Sequence, residues 1–253
     1  MQGKVAIITG ASSGIGKAVT KLFVSQRVKT VLVGRNEPAL KQTLDEIKKL
    51  NGESLSIVAD VTSPNECENI VNTAVDKFGK LDVIVNSAGI IANGTIENTS
   101  LQLWDDLYNI NVRSIFCLMQ LGMPHLIKTK GNVVNVSSVN GYNSFPNTIA
   151  YCSSKAALNM LTRCAALEMA SRGVRVNAVC PGVVITQLHK RGGMAEDSYL
   201  KFLEHSKETH PLGRVGHPEE IADLILFLAS PHASWITGTT LPIDGGRGQT
   251  CLR

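Results

Sequence analysis

The sequence predicts an α/β fold: one doubly wound domain over residues 1–253, with about seven parallel strands and helices on both faces of the sheet. Three observations point there. Short apolar runs alternate with helical segments from end to end. Most of those runs are continuous in β-branched residues instead of alternating with polar ones, as strands do when both faces are buried. No repeat, low-complexity stretch or linker interrupts the alternation.

The strand candidates, in order, are Val5-Ala6-Ile7-Ile8, Thr30-Val31-Leu32-Val33, Leu55-Ser56-Ile57-Val58, Val83-Ile84-Val85, Val133-Val134-Asn135-Val136, Val174 to Val179, and a short Thr240-Leu241-Pro242-Ile243. The helices between them carry their own punctuation. Ser63-Pro64-Asn65-Glu66 reads as a capping box with proline at the first helical position. Gly79, Gly131 and Gly173 each stand where a left-handed C-terminal cap is expected. His217-Pro218-Glu219-Glu220 opens the final helix with acids in its first turn. Regular alternation implies right-handed crossovers, and ligands of such sheets bind outside the carboxyl ends of the strands where the strand order reverses.

Composition narrows the classes of function. The chain has 253 residues, 43% hydrophobic and 18% charged, with a formal charge of +4. Its densest basic cluster, His189-Lys190-Arg191, is too short to point to nucleic acid. Six cysteines form no C-x-x-C pair and six histidines no ligand spacing, so neither a metal site nor a disulfide framework is expected. No apolar run approaches the roughly 18 residues of a membrane span. The first strand starts near Lys4, which leaves no room for a leader, and Cys251-Leu252-Arg253 matches no common terminal targeting signal. A cytoplasmic protein with no membrane or nucleic-acid partner is the expectation.

The loop after the first strand, Thr9-Gly10-Ala11-Ser12-Ser13-Gly14-Ile15-Gly16, opens a helix. Its glycines allow a tight turn and close backbone approach, and the helix N-terminus favours an anion such as a pyrophosphate. The cradle expected from it is Gly10, Ser12, Ser13, Gly14, Ile15 and Gly16. The second strand ends at Gly34-Arg35. A sheet that prefers NAD usually carries an acid there, whereas arginine can hold the 2′-phosphate of NADP. NADP(H) is therefore expected over NAD(H). Asp60, followed by Val61, closes the third strand and could bond an adenine amino group or only shape the turn before Ser63.

Tyr151 and Lys155 sit one helical turn apart at the start of a predicted helix Tyr151–Ser171, on one face. An ammonium ~4 Å from the phenol at an effective dielectric of about 20 contributes about 4 kcal/mol, enough to bring the tyrosine toward neutrality as a general acid or base. Ser138 ends the fifth strand and can face the same pocket. Asn86-Ser87-Ala88-Gly89 ends the fourth. Asn111 lies in the following helix among Ile110, Val112 and Ile115, and Pro181-Gly182-Val183-Val184-Ile185-Thr186 follows the sixth strand.

Taken together, T-G-x-x-x-G-x-G, N-x-A-G, the Asn-Ser-Tyr-Lys tetrad and P-G-x-x-x-T, in that order from Lys4 to Gly246, strongly resemble the short-chain dehydrogenase/reductase family. The resemblance implies a Rossmann domain and a catalytic set of Tyr151, Lys155, Ser138 and Asn111. Tyr151 would give a proton to a carbonyl oxygen as hydride arrives from the nicotinamide, and Ser138 would hold that oxygen. Lys155 would lower the tyrosine and bond the nicotinamide ribose, and Asn111 would anchor a proton-carrying water. Cofactor contacts are implied for Asn86, Ala88, Gly89, Pro181, Gly182, Val184 and Thr186. Ser87 departs from the second asparagine often found there, and Ser13 from the basic residue many NADP-preferring members carry.

The stretch Gln187–His210 reads as a short helical lid over the substrate, with Met194, Tyr199, Phe202 and Leu203 as its apolar residues. Ile90, Ile91, Asn140, Tyr142, Phe145 and Asn147 are further wall candidates. The likeness is nearest to 3-oxoacyl-carrier-protein reductases and carbonyl reductases, and it implies a homotetramer built on helices around Leu103–Lys128 and Tyr151–Arg172. The expected activity is reduction of a ketone or 3-oxoacyl group with NADPH. NAD-linked oxidation of a hydroxysteroid or polyol, and a cofactor-binding sensor without turnover, stay open beside it.

Overall fold

The computed structural model describes residues 1–50 and 52–250. Strands β1 (Val5–Thr9), β2 (Lys29–Gly34), β3 (Ser54–Val58), β4 (Val83–Asn86), β5 (Asn132–Val136), β6 (Arg175–Pro181) and β7 (Thr240–Ile243) form a single sheet in the order β3-β2-β1-β4-β5-β6-β7. Every neighbouring pair is parallel. The strand order reverses between β1 and β4, so a crevice opens at their carboxyl ends.

The period of the strands divides the core in two. Ala6 and Ile8 of β1 face one layer with Leu32, Val85, Val134 and Val179, covered by α1 (Gly14–Ser25), α2 (Glu37–Lys48) and α9 (Pro218–Ala229). Ile7 faces the other with Val31, Val33, Ile84, Val133 and Val176, beneath α3 (Pro64–Phe78), α5 (Ser114–Thr129) and α6 (Ile149–Met169). The continuous apolar runs thus fill both faces. Edge strand β3 is the exception: none of its residues is buried and Val58 is exposed. Pro242 sits on the other edge strand, where its missing N–H costs no ladder bond.

Two polar features pin this frame. Asp82 is buried at the start of β4, accepts from the Val5 amide at 2.9 Å, and is paired with Lys4 at 2.8 Å and Lys80 at 3.1 Å. Inside the sheet, Asn86 Nδ2 donates to Asn135 Oδ1 at 2.9 Å, and Asn135 Nδ2 donates to Thr162 Oγ1 at 2.9 Å, which carries the bonding chain from β4 through β5 to α6.

Several local expectations are corrected. Gly79 and Gly173 are left-handed caps, each with φ of 78°, but at Gly131 the cap is the preceding residue, Lys130, with φ of 49°. Gly131 is required for another reason: a Cβ there would lie 2.3 Å from the Asp82 carbonyl oxygen. Ser63 caps α3 through the Glu66 amide, yet Glu66 reaches back to the Asp60 amide, at 2.6 Å, instead of completing the box. Pro181 belongs to β6, paired with Ile243, and does not follow it. Asp60 lies beyond the end of β3, and Ser138 beyond the end of β5. The long helix expected around Leu103–Lys128 is divided: α4 (Leu101–Tyr108) and α5 flank a π-helical turn, Asn109–Arg113. Cys251 lies outside the described residues.

Candidate active site

The glycine loop leads out of β1 into α1 with its backbone bare. Gly10 and Gly14 hold φ of +67° and +52°, a region side chains rarely adopt. Gly16 is set by contact instead: a Cβ would fall 2.4 Å from the Gly10 carbonyl oxygen. Ser13 enters α1 in extended backbone without capping it, so the first N–H groups of the helix keep their capacity for an anion. Ile15 lies in the first turn of α1, and the Ser12 hydroxyl is 3.5 Å from where a Cβ on Gly34 would stand. Thr9, which the sequence reading passed over, ties this loop to its neighbour. Its Oγ1 accepts from the Ser87 amide at 3.1 Å and the Ala88 amide at 3.0 Å. Such an open, uncapped, glycine-lined turn fits the pyrophosphate of a dinucleotide.

Arg35 and Asp60 meet at the adjoining strand ends, with Nη1 and Oδ2 3.5 Å apart. Asp60 Oδ1 accepts from the amide and hydroxyl of Thr62 at 3.0 and 2.8 Å, so this carboxylate does shape its turn. Burial raises the Asp60 carboxyl, but the bonds from Thr62 and the charge of Arg35 outweigh it and hold it below its ordinary value. The Val61 carbonyl accepts from Cys67 Sγ at 3.1 Å. Asn86 turns its side chain into the sheet, toward Asn135.

Ser138, Tyr151, Lys155 and Asn111 are all buried. Ser138 Oγ accepts from the Asn140 amide at 3.2 Å and donates to Asn140 Oδ1 at 3.2 Å. Lys155 Nζ donates to the Val136 carbonyl at 2.9 Å and stands 5.7 Å from the centroid of the Tyr151 ring. Asn111, in the π turn, accepts from the Ile90 amide at 3.0 Å and donates to the Ile90 carbonyl and to Ser154 Oγ, at 3.0 and 3.1 Å. The wider turn rotates Asn111 to this bond on the N-x-A-G loop, where π-bulges often mark functional sites. A Cβ on Gly89 would come 3.1 Å from Asn111 Oδ1 and 3.7 Å from Lys155 Nζ. The N-x-A-G loop, the amide and the ammonium therefore converge across a bare backbone.

The electrostatics differ from the expectation that Lys155 lowers Tyr151. Burial pushes the phenol up to about 12, against the neighbouring Ser138 hydroxyl, which lowers it. Burial also pulls Lys155 down to about 8. The low-dielectric pocket disfavours both charges.

The loop after β6 closes over the glycines. Thr186 Cγ2 lies 3.1 Å from where a Cβ on Gly14 would be, and Val184 bridges to Gly216. Gly182 is squeezed between His210 and Asp244, which would meet a Cβ at 2.8 and 3.0 Å. His210 is a second residue the sequence reading missed. Burial lowers it, and its neutral ring accepts from the Val183 amide at 3.1 Å through Nε2 while Nδ1 faces the Ser206 carbonyl at 2.5 Å. Two helices follow the loop, α7 (Leu188–Arg191) and α8 (Glu196–Thr209). Tyr199 donates to the Thr186 carbonyl at 3.0 Å, and Phe202 packs on His189.

Among the wall candidates, Ile90 and Ile91, like Trp104, pack against the buried cluster of Leu107, Ala150 and Tyr151. Tyr142 sends its hydroxyl to the Thr240 carbonyl, and Phe145 packs under the Arg247 guanidinium. The carbonyl of Asn147 accepts from the Gly94 amide at 2.9 Å.

Residues 10–247 match the family model described as enoyl-(acyl carrier protein) reductase. The chain is 38% identical over 247 residues to the 3-oxoacyl-[acyl-carrier-protein] reductase of Thermotoga maritima, covering 97% of this chain and 98% of that one. It is equally 38% identical over 247 residues to the 2,5-dichloro-2,5-cyclohexadiene-1,4-diol dehydrogenase of Sphingobium indicum, covering 97% and 96%. A crystal structure of a short-chain dehydrogenase/reductase of unknown function from Caenorhabditis elegans, with cofactor, superposes with a TM-score of 0.93 at 35% identity, over 98% of this chain and 96% of that one. With this fold, these motifs and these relatives, the chain belongs to the short-chain dehydrogenase/reductase family of oxidoreductases.

Proposed function

We propose that this chain reduces a ketone or 3-oxoacyl group to the secondary alcohol with NADP(H), in preference to NAD(H). The observation that carries the reading is the joint burial of Ser138, Tyr151 and Lys155, with Lys155 one turn further along α6 and its Nζ 5.7 Å from the centroid of the Tyr151 ring. The nicotinamide, when bound, supplies the hydride. Tyr151, held neutral by burial, keeps its proton at pH 7 and gives it to the carbonyl oxygen. Ser138 donates to the same oxygen and then to the phenolate. Lys155, protonated below about 8, replenishes the proton from its place beside Gly89 and bonds the ribose. Asn111 is a positioning residue that fixes the Ile90 backbone at the inner end of this path and anchors a water.

Gly10, Ser12, Ser13, Gly14, Ile15 and Gly16 would hold the pyrophosphate, Asp60 and Val61 the adenine, and Arg35 the 2′-phosphate. Asn86, Ala88, Gly89, Pro181, Gly182, Val184 and Thr186 would line the remainder. Residues 187–210 act as a lid, tied to the cofactor loop by Tyr199. Exposed Phe116 of α5 and Met160 and Leu167 of α6 support assembly as a homotetramer through these helices. No helix among the described residues is long and apolar enough to cross a membrane; a cytoplasmic location is part of the proposal.

The test is oxidation of NADPH and NADH by the purified protein against acetoacetyl-CoA, a diketone, a steroid ketone and a ketose. Tyr151→Phe should lower turnover by a factor of about 10² to 10⁴. Undiminished turnover in that variant overturns the assignment.

A further inference from the structure

We infer from the coupling of Ser138 to Asn140 that the substrate is an α-hydroxy ketone, or the vicinal diol in the oxidative direction, with Asn140 as the acceptor for its second hydroxyl. This rests on the oxidoreductase reading above and narrows its substrate.

The Ser138 hydroxyl has one proton, and it is directed at Asn140 Oδ1, 3.2 Å away. To polarise a substrate oxygen, Ser138 must turn that proton toward the substrate. Asn140 Oδ1 is then left without its donor at the rim of the site, where the residue is only half-buried. The amide is not free to swing toward a new partner. Its Nδ2 is held by Cys152 Sγ at 3.3 Å, and Cys152 is held in turn by Thr148 Oγ1 at 3.3 Å. The Asn140 backbone N–H also donates to Ser138 Oγ at 3.2 Å, which keeps the two residues in register.

A substrate that accepts from Ser138 and donates to Asn140 Oδ1 restores every bond. The two groups it must span are 3.2 Å apart, so with a hydrogen bond of about 2.8 Å to each, its two oxygens must themselves lie close together, as oxygens on adjacent carbons do. A lone ketone leaves the Asn140 oxygen unpaired. A 3-oxoacyl thioester offers it only another acceptor. The net reaction is unchanged: ketone, reduced nicotinamide and a proton become alcohol and oxidised nicotinamide, and the second hydroxyl passes through intact.

The experiment compares kcat/KM for 2-hydroxycyclohexanone and cyclohexanone in the wild-type enzyme and in Asn140→Val, Asn140→Ala and Asn140→Asp. A ratio between two ketones on one variant cancels changes in the shared proton transfer. We expect the wild type to favour the hydroxy ketone by about 10-fold or more. Asn140→Val should bring the ratio close to unity, chiefly through KM, and Asn140→Asp, which keeps the acceptor, should restore most of it. Asn140→Ala reads the same loss if the valine variant fails to fold. Calorimetry in the Tyr151→Phe background, with oxidised cofactor bound, gives a reading free of turnover: the same preference in Kd, abolished by adding Asn140→Val. A wild-type ratio near unity, no turnover of hydroxy ketones, or a ratio that survives Asn140→Val and Asn140→Ala overturns the inference. Turnover that persists in Tyr151→Phe instead overturns the reading beneath it.

Discussion

Lys155→Met isolates what burial of the ammonium costs the fold. Burial takes Lys155 from its ordinary 10.5 to about 8. At pH 7 the lysine is protonated both folded and unfolded, and holding that charge inside costs about 3 kcal/mol. Between pH 8 and 10.5 the unfolded chain binds the proton and the folded chain has released it, so this contribution to stability rises with pH. By pH 10 the cost has shrunk to under about 1 kcal/mol. Methionine removes the charge while keeping a flexible side chain of similar length. It also leaves the Val136 carbonyl without its bond from Nζ, a loss of about 1–2 kcal/mol at either pH. The variant should therefore be more stable than the wild type by about 1–2 kcal/mol at pH 7 and less stable by about 1 kcal/mol at pH 10. Tyr142 and Cys67, both pushed up to about 12, titrate alike in the two proteins and cancel. Urea unfolding of cofactor-free protein at the two pH values reads the difference. An effect of the same size at both would refute burial of the charge as its cause.

Other perturbations follow from the same geometry. Gly16→Ala forces a Cβ against the Gly10 carbonyl and should cost about 1–3 kcal/mol, seen in thermal melts, while weakening dinucleotide binding in a fluorescence titration. Unchanged affinity would mean that the turn does not carry the cofactor. Arg35→Asp should lower the NADPH-to-NADH ratio of kcat/KM at least about 10-fold, since it removes a charge-assisted phosphate contact and sets a second carboxylate beside Asp60. Asn135→Leu strands the buried Asn86 amide and should destabilise the protein by about 2–3 kcal/mol in denaturant unfolding, with no change in the pH profile of activity. Reduction should weaken as pH rises past about 8, where Lys155 loses its proton, and a profile flat to pH 10 would separate Lys155 from proton supply.

Much of this protein is local in its physics, and that part was legible in the sequence. Continuous β-branched runs announced strands buried on two faces, because a strand covered by helices on both sides has no polar face to show. Glycines in the first loop announced a turn that side chains cannot enter, and Tyr151 and Lys155 shared a face because a helix has a fixed period. Tertiary structure alone decided the features set by contact between distant segments. Lys130 took the left-handed cap, while Gly131 lies against the Asp82 backbone with no room for a Cβ. Glu66 left the capping box for an amide that the end of β3 brings within reach. Thr9 and His210 became struts only once β4 and the loop after β6 lay beside them. The charge state of the catalytic pair turned the same way. Spacing promised attraction between Tyr151 and Lys155, but how deeply both are buried is a property of the whole fold, and desolvation in that pocket is the largest influence on each.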